Sequence, residues 1–195
     1  MSNGAILRPD KVVIENQKAT IIAQNKDGQK FLKFAQKEQA KELVKNETKI
    51  LLELNKQFKL KTAKVLENNS NNLYAYLLTE VIEGNKLSNL ELNNNIFKLL
   101  TALCSKILEK DNFKQVFAHG DFCPWNILVA EKNQLVLIDW EMAGSKILGY
   151  DLFTFIFQTS FLLYPQKKVS DIISINKVII TKYFKRFETE NWEDY

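Results

Sequence analysis

The sequence predicts an α+β chain of two lobes. Residues 1–82 should form an antiparallel sheet with one helix, and residues 83–195 a mostly helical lobe that carries a short β-hairpin. Three observations predict this. Short apolar runs punctuated by turn residues occupy the N-terminal part, interrupted by a single long helical stripe. Apolar residues recur at helical spacing after Leu90 and again after Lys168. Between those stretches, the apolar runs Ile127-Leu128-Val129 and Leu135-Val136-Leu137-Ile138 flank the polar turn Glu131-Lys132-Asn133-Gln134, which is the pattern of a hairpin. A chain of 195 residues is long enough for one domain or for two small lobes.

In the first lobe, Val12-Val13-Ile14 reads as a strand and Thr20-Ile21-Ile22-Ala23 as the next. Asn25-Lys26-Asp27-Gly28 is a hairpin turn, because Asp-Gly tolerates positive φ. Lys30-Phe31-Leu32-Lys33-Phe34 returns as a third strand. Alternation puts Phe31, Lys33 and Ala35 on one face and Lys30, Leu32 and Phe34 on the other. A helix follows from about Lys37 to Phe58, with Val44, Ile50, Leu51, Leu54 and Phe58 as its apolar stripe. Glu47 lies one turn before Leu51, where it can pair with a strand lysine. Val65 to Asn72 reads as a strand and exposed turn, and Leu73 to Thr79 as the last strand of this lobe.

In the second lobe, Leu90 to Lys110 has helical spacing through Leu92, Ile96, Leu99, Leu100, Leu103 and Ile107. Val116-Phe117-Ala118 is a buried strand that delivers a polar loop, His119-Gly120-Asp121-Phe122-Cys123-Pro124-Trp125-Asn126, ahead of the hairpin. Helices running from Leu148 to about Leu163 and from Lys168 to Phe187 complete the lobe. The last is amphipathic and mildly basic. It reads first as a core-packing helix with a solvated face and second as a peripheral membrane contact.

The loop and the hairpin bring chemistry together. Asp121 is followed by Asn126 on the loop and by Asp139 after the second arm, and the hairpin should draw Asn126 and Asp139 close. Phosphoryl transfer needs a carboxylate near the attacking hydroxyl and oxygen ligands for magnesium, and this run supplies both. The pattern His119-Gly120-Asp121-Phe122-Cys123-Pro124-Trp125-Asn126 with Ile138-Asp139-Trp140-Glu141 resembles the aminoglycoside phosphotransferase and choline kinase family. That family has a two-lobed, protein-kinase-like fold.

The resemblance runs from about Val12 to Phe161 and implies a set of roles. Asp121 would orient and deprotonate the acceptor hydroxyl. Asn126 and Asp139 would hold Mg²⁺. Lys33, held by Glu47, would grip the phosphates of ATP. Lys30 competes with Lys33 for that role, and Glu42 and Glu53 compete with Glu47. Thr79-Glu80-Val81-Ile82-Glu83-Gly84 looks like a kinase hinge, where the backbone of Glu80 and Ile82 would bond the adenine edge. Asp151, opening a helix, would brace the loop through its backbone. Glu141 would face the same way as Asp139 and assist a second metal or the acceptor.

Two departures narrow the resemblance. Protein kinases fold a glycine-rich loop over the phosphates. The corresponding Glu15-Asn16-Gln17-Lys18-Ala19 has no glycine, which favours small-molecule kinases and leaves Lys18 as a candidate phosphate contact. The stretch between Gly84 and His119 is also short, so the acceptor side should be open. A large acceptor, a partner or a dimer would complete it. The loop, the Asp-Trp-Glu and the Tyr150–Ile156 stretch look like phosphotransferases of surface-polysaccharide or lipopolysaccharide synthesis, which implies a glycan acceptor.

Composition excludes other classes. The net charge of +4 is mild and spread out, so no nucleic-acid partner is indicated. No apolar run is long enough to span a bilayer, and Met1 to Asp10 does not read as a signal peptide. Cys104 and Cys123 match no metal spacing and point to a reducing cytoplasm. His119 is the only histidine, so a multi-histidine zinc site is ruled out. A Cys123–His119 nucleophile pair would leave Asp121, Asn126 and Asp139 unexplained. Competing readings are an aminoglycoside-modifying kinase, a protein kinase and a non-catalytic nucleotide-binding module.

Overall fold

The computed structural model describes residues 8–15, 18–25, 28–57, 60–87, 91–104, 107–110, 113–189 and 191–195. The expected turn residues Lys26 and Asp27, the helix end Phe58 and the start of the second helical stretch at Leu90 lie outside these residues. The chain divides into two compact units. One comprises residues 1–84 and 136–142, the other residues 85–135 and 143–195.

The first unit is a five-stranded antiparallel sheet with one helix. Its strands are β1 (Arg8–Glu15), β2 (Lys18–Asn25), β3 (Gly28–Ala35), β4 (Val65–Ser70) and β5 (Ala75–Glu80), in the order β1-β2-β3-β5-β4. The strands run longer than their apolar stretches. Backbone pairing such as Arg8 with Gln24 and Asn25 with Gly28 recruits polar residues that alternation alone does not mark. Helix α1 (Glu38–Gln57) turns Ala40, Val44, Ile50 and Leu51 into the core against β5, where Ala75 and Leu77 are buried. The turn from β4 to β5 is an Asx turn, in which the N–H groups of Leu73 and Tyr74 donate to Asn71 Oδ1 at 2.8 and 3.0 Å. Residues 136–142 return to this unit and pass α1 as a 3₁₀ turn, Trp140–Met142, with Trp140 buried.

The second unit holds short strands and three helices. Strand β6 (Asn85–Lys86) pairs with β9 (Ile127–Val129). Helix α2 (Asn94–Leu103) is capped by Asn93, whose side chain accepts from the N–H groups of Asn95 and Ile96. It is shorter than the helical spacing predicts. Beyond Cys104 the chain becomes strand β7 (Ile107–Lys110), which pairs with β8 (Phe113–Ala118). Ile107 therefore sits opposite Val116 rather than on a helix face, because a β partner is available and the expected fifth turn is not. The turn after β9 is closed by Ala130 N–H donating to the Gln134 carbonyl at 2.8 Å, and the chain leaves through β10 (Leu135–Leu137). Strand β11 (Gly144–Ile147) then pairs with β8. Helices α3 (Tyr150–Leu163) and α4 (Val169–Arg186) bury Leu152, Phe155 and Ile156 with Ile172, Ile180, Tyr183 and Phe184. Gly149 opens α3 at φ 93, and a Cβ there would lie 2.5 Å from the Phe184 ring. Only glycine fits that turn.

Candidate active site

Two clusters hold the residues singled out above, one in each unit. In the first unit, β3 alternation puts Lys33 on the buried face. Its ammonium bonds Glu47 of α1 at 2.5 Å and also pairs with Asp139, and it lies 3.8 Å from Glu141. The competitor Lys30 occupies the other face, and Glu42 instead pairs with Lys45 on the helix surface at 2.7 Å. Burial works to lower the Lys33 pKa, but Glu47 and then Asp139 more than reverse it, so the net shift is upward and the side chain stays charged. Burial pushes the Glu47 carboxyl up, against the pull of Lys33. Glu47 is fixed further by the Trp140 N–H, which donates to Oε1 at 3.3 Å.

Asp139 has φ 66, a backbone conformation that non-glycine residues rarely adopt. Such strain is held where the surroundings over-determine it. The ion pair with Lys33 on one side of Asp139 and the buried Trp140 on the other supply that constraint. Glu141 pairs with Lys18 at the start of β2, and the Asn46 amide of α1 donates to the Glu141 carbonyl at 2.8 Å. Sequence reading named Lys18 and Glu141 separately and missed their pairing. No local signal marks it, because the partners lie 123 residues apart. Glu47, Asp139 and Glu141 each place a carboxylate oxygen within 4.8 Å of the others. An all-oxygen set of this kind suits a hard cation such as Mg²⁺.

In the second unit, the loop after β8 is held from below. Asp151, buried in the first turn of α3, accepts the His119 N–H at 2.7 Å and the Gly120 N–H at 2.9 Å. Burial raises the Asp151 carboxyl from its ordinary 3.8 to about 6, although these two N–H groups pull the other way. Gly120 turns at φ 84, and Phe122 plunges into the core against Phe155, ring centroids 6.0 Å apart. Asp121, between these anchors, is left half-exposed. Pro124 opens a 3₁₀ turn, Pro124–Asn126, where its missing N–H costs nothing.

That turn aims the Asn126 amide back at Asp121. Asn126 Nδ2 donates to Asp121 Oδ2 at 2.8 Å and to the Asp121 carbonyl at 3.0 Å. With the amide nitrogen so committed, Oδ1 is the Asn126 atom that can serve a cation. His119 is fully buried and accepts the Asp121 N–H at Nδ1, 3.4 Å away. Cys123 is buried too, and its thiol donates toward the Asp121 carbonyl at 3.3 Å. Both side chains thus shape the Asp121 loop. The expected hinge runs through residues 81–84 without regular structure. The Glu80 N–H donates to the Lys64 carbonyl at 3.0 Å, so only the Glu80 carbonyl can serve a ligand, and Ile82 is half-buried.

The model of the phosphotransferase enzyme family, APH, matches residues 90–164, the stretch that contains the whole Asp121 loop, Asp139 and Asp151. No curated protein matches the chain at a significant level. The fold is similar to aminoglycoside phosphotransferase APH(3'')-Id from Streptomyces rimosus, with TM-score 0.64 and 15% identity over 94% of this chain and 87% of that one. The same protein in complex with ADP and streptomycin gives TM-score 0.63 and 14% identity over 99% and 90%. An aminoglycoside-3'-phosphotransferase of type VIII gives 0.57 and 13% over 88% and 91%. The fold is that of the kinase-like phosphotransferases.

Proposed function

We propose that this chain, a kinase-like phosphotransferase of the APH family over residues 90–164, moves the γ-phosphate of ATP onto a hydroxyl group of a small molecule or glycan in the cytoplasm. The observation that carries this reading is the Lys33 ammonium held between Glu47 and Asp139. A lysine kept charged in this way is built to meet a polyanion, and Lys33 would position the phosphates of the nucleotide. Asp121 would accept the proton of the attacking hydroxyl. The Asn126 amide and the Cys123 thiol keep its carboxylate oriented for that task.

The residues present fit magnesium. The Asp139 carboxylate and Asn126 Oδ1 would hold it, and Glu141 offers a further oxygen. Bound there, the cation supplies charge neutralisation on the phosphates. The Glu80 carbonyl and the Ile82 backbone would bond the adenine edge. Two acceptor classes compete. A glycan of surface-polysaccharide synthesis is favoured by the resemblance of the Asp-Phe-Cys-Pro-Trp-Asn loop. An aminoglycoside is favoured by the streptomycin complex of the similar structure. A partner or second copy would complete the acceptor side.

The test is transfer of labelled γ-phosphate from Mg-ATP to lipid-linked glycans, free sugars, aminoglycosides, choline and a generic protein. Label on one class that vanishes with Asp121→Asn supports the reading and names the acceptor. ATP binding without label on any acceptor would favour a nucleotide-binding module.

A further inference from the structure

The end of α3 and the outer face of α4 carry apolar side chains that the fold does not use. Phe161, Leu162, Leu163 and Tyr164 follow one another at the end of α3, and all four are exposed, Leu162 at 62%. On α4, Ile175 and Val178 are exposed at 65% and 83%. Single exposed apolar residues are ordinary, but a cluster of this kind marks an interaction surface. Leu163 at the helix end and Tyr164 just beyond it line one groove with Lys167 and Ile175, so the end of α3 and α4 share a surface. The exposed end also continues an ordered stack. Phe153, Phe157 and Phe161 pack one turn apart at 5.9 and 5.8 Å.

The charge around this surface selects its occupant. Lys167 and Lys168 lie in the turn between the helices, and Lys177, Lys182, Lys185 and Arg186 follow along α4, whose single carboxylate is Asp171. Lys177 approaches Glu193 at 3.8 Å. Among the described residues no carboxylate pairs with Lys167, Lys168 or Lys185. Lys167 instead lies over the Tyr164 ring at 4.1 Å. An isologous contact with a second copy would set these cations against their own images. An anionic bilayer answers both features at once. Exposed Leu, Phe and Tyr enter the headgroup boundary while lysines meet the lipid phosphates.

We propose that the α3–α4 hairpin is a docking surface for an anionic lipid bilayer, with Phe161 to Tyr164 and Val178 entering the interface and Lys167, Lys168 and Lys185 contacting the headgroups. The proposal stands apart from the phosphotransfer reading and holds whatever the acceptor is.

The test is co-sedimentation of the full chain with vesicles of phosphatidylcholine alone and of phosphatidylcholine mixed with phosphatidylglycerol. Partitioning onto the anionic vesicles is expected to exceed that onto neutral ones by at least about tenfold and to fall as salt is added. The Leu162→Glu/Val178→Glu pair should lower it by about tenfold. Lys168→Glu/Lys185→Glu, at exposed positions, should do the same. Leu73→Glu, at an equally exposed leucine of the first unit, should leave binding intact. Equal partitioning onto both vesicle types, or a silent lysine pair, overturns the proposal. So does a dimer in sedimentation velocity that dissociates with Val178→Glu, because the occupant is then a second copy.

Discussion

The two clusters, one in each unit, are held in opposite ways. Around Lys33, charged side chains from β2, β3, α1 and the 139–141 segment hold one another, and the bonds are ion pairs. Around Asp121, a short loop is held through its backbone by buried Asp151, with Phe122 as a plug. Ion pairs can exchange partners when a phosphate or a cation arrives. A backbone clamp cannot. The first cluster therefore suits a ligand that comes and goes, and the second suits a base that must already be in place when the hydroxyl arrives.

The largest effect expected from breaking this contrast falls on the rigid side. Under the proposed function, Asp121→Asn removes the proton acceptor and leaves the loop anchored, so turnover should drop by roughly 10²- to 10⁴-fold with ATP affinity unchanged. Steady-state phosphotransfer alongside calorimetric nucleotide titration checks both halves. Unchanged turnover would remove Asp121 from its role. On the exchangeable side, Lys33→Ala leaves Glu47 and Asp139 facing one another without their shared cation. Removing one partner of a buried pair costs about 3–5 kcal/mol, and urea denaturation should show a loss of that order. Lys30→Ala, on the opposite face of β3, should stay within about 0.5 kcal/mol. Equal losses for the two lysines would contradict the assigned register.

The contrast also explains what could be read in advance. Period-two alternation puts Lys33 and Lys30 on opposite faces of β3, which is a local pattern, whereas the choice of Lys33 and its pairing with Glu47 rest on the family resemblance. The Asp151 clamp is legible only through the same resemblance, since an acidic residue opening a helix is by itself an ordinary N-terminal residue. The Lys18–Glu141 pair was not legible as a pair. A salt bridge carries no periodicity, and which lysine of a lysine-rich chain meets which glutamate depends on where residues 136–142 return. The shortened α2 has a related cause. Ile107 fits a helical stripe and a strand equally well, and only its pairing with Val116 decides.

Asp151→Asn should come next in size. The amide keeps one acceptor and turns a donor toward a loop N–H, at a cost of about 1–3 kcal/mol. The pH dependence has a definite sign. Because the folded-state value of about 6 lies above the ordinary 3.8, the folded chain binds a proton between these limits that the unfolded chain does not. The stability contributed by this group is therefore full below about pH 4 and declines as pH rises toward 6. The Asp151→Asn variant should lack that decline in denaturation midpoints measured across the window. Catalysis should run the other way, failing as the pH drops below about 6, since a protonated Asp151 gives up part of its hold on the loop. Identical pH profiles for the two proteins would sink this assignment.

Asp139→Asn sits on the exchangeable side and should weaken Mg-ATP binding by roughly tenfold. The same titration without magnesium should show a smaller change, and equal changes would argue that Asp139 serves only Lys33.

The smallest kinetic effects belong to Lys18 and Glu141, and they discriminate most finely. If the pair were only structural, removing either partner of this largely buried pair would cost about 3 kcal/mol and leave the kinetics alone. If Lys18 instead stands in for the missing glycine-rich loop, Glu141 competes with the nucleotide phosphates for it. Lys18→Met should then raise KM for ATP roughly threefold at constant kcat. Glu141→Gln, which frees Lys18 and removes an anion beside Lys33, should lower KM instead. Both variants lose stability in the same direction, so opposite signs in KM cannot come from loosening of the fold. KM values unchanged in both would make the pair a brace, and the first cluster would then be as fixed as the second; KM values that rise in both would assign Glu141 to the cation instead.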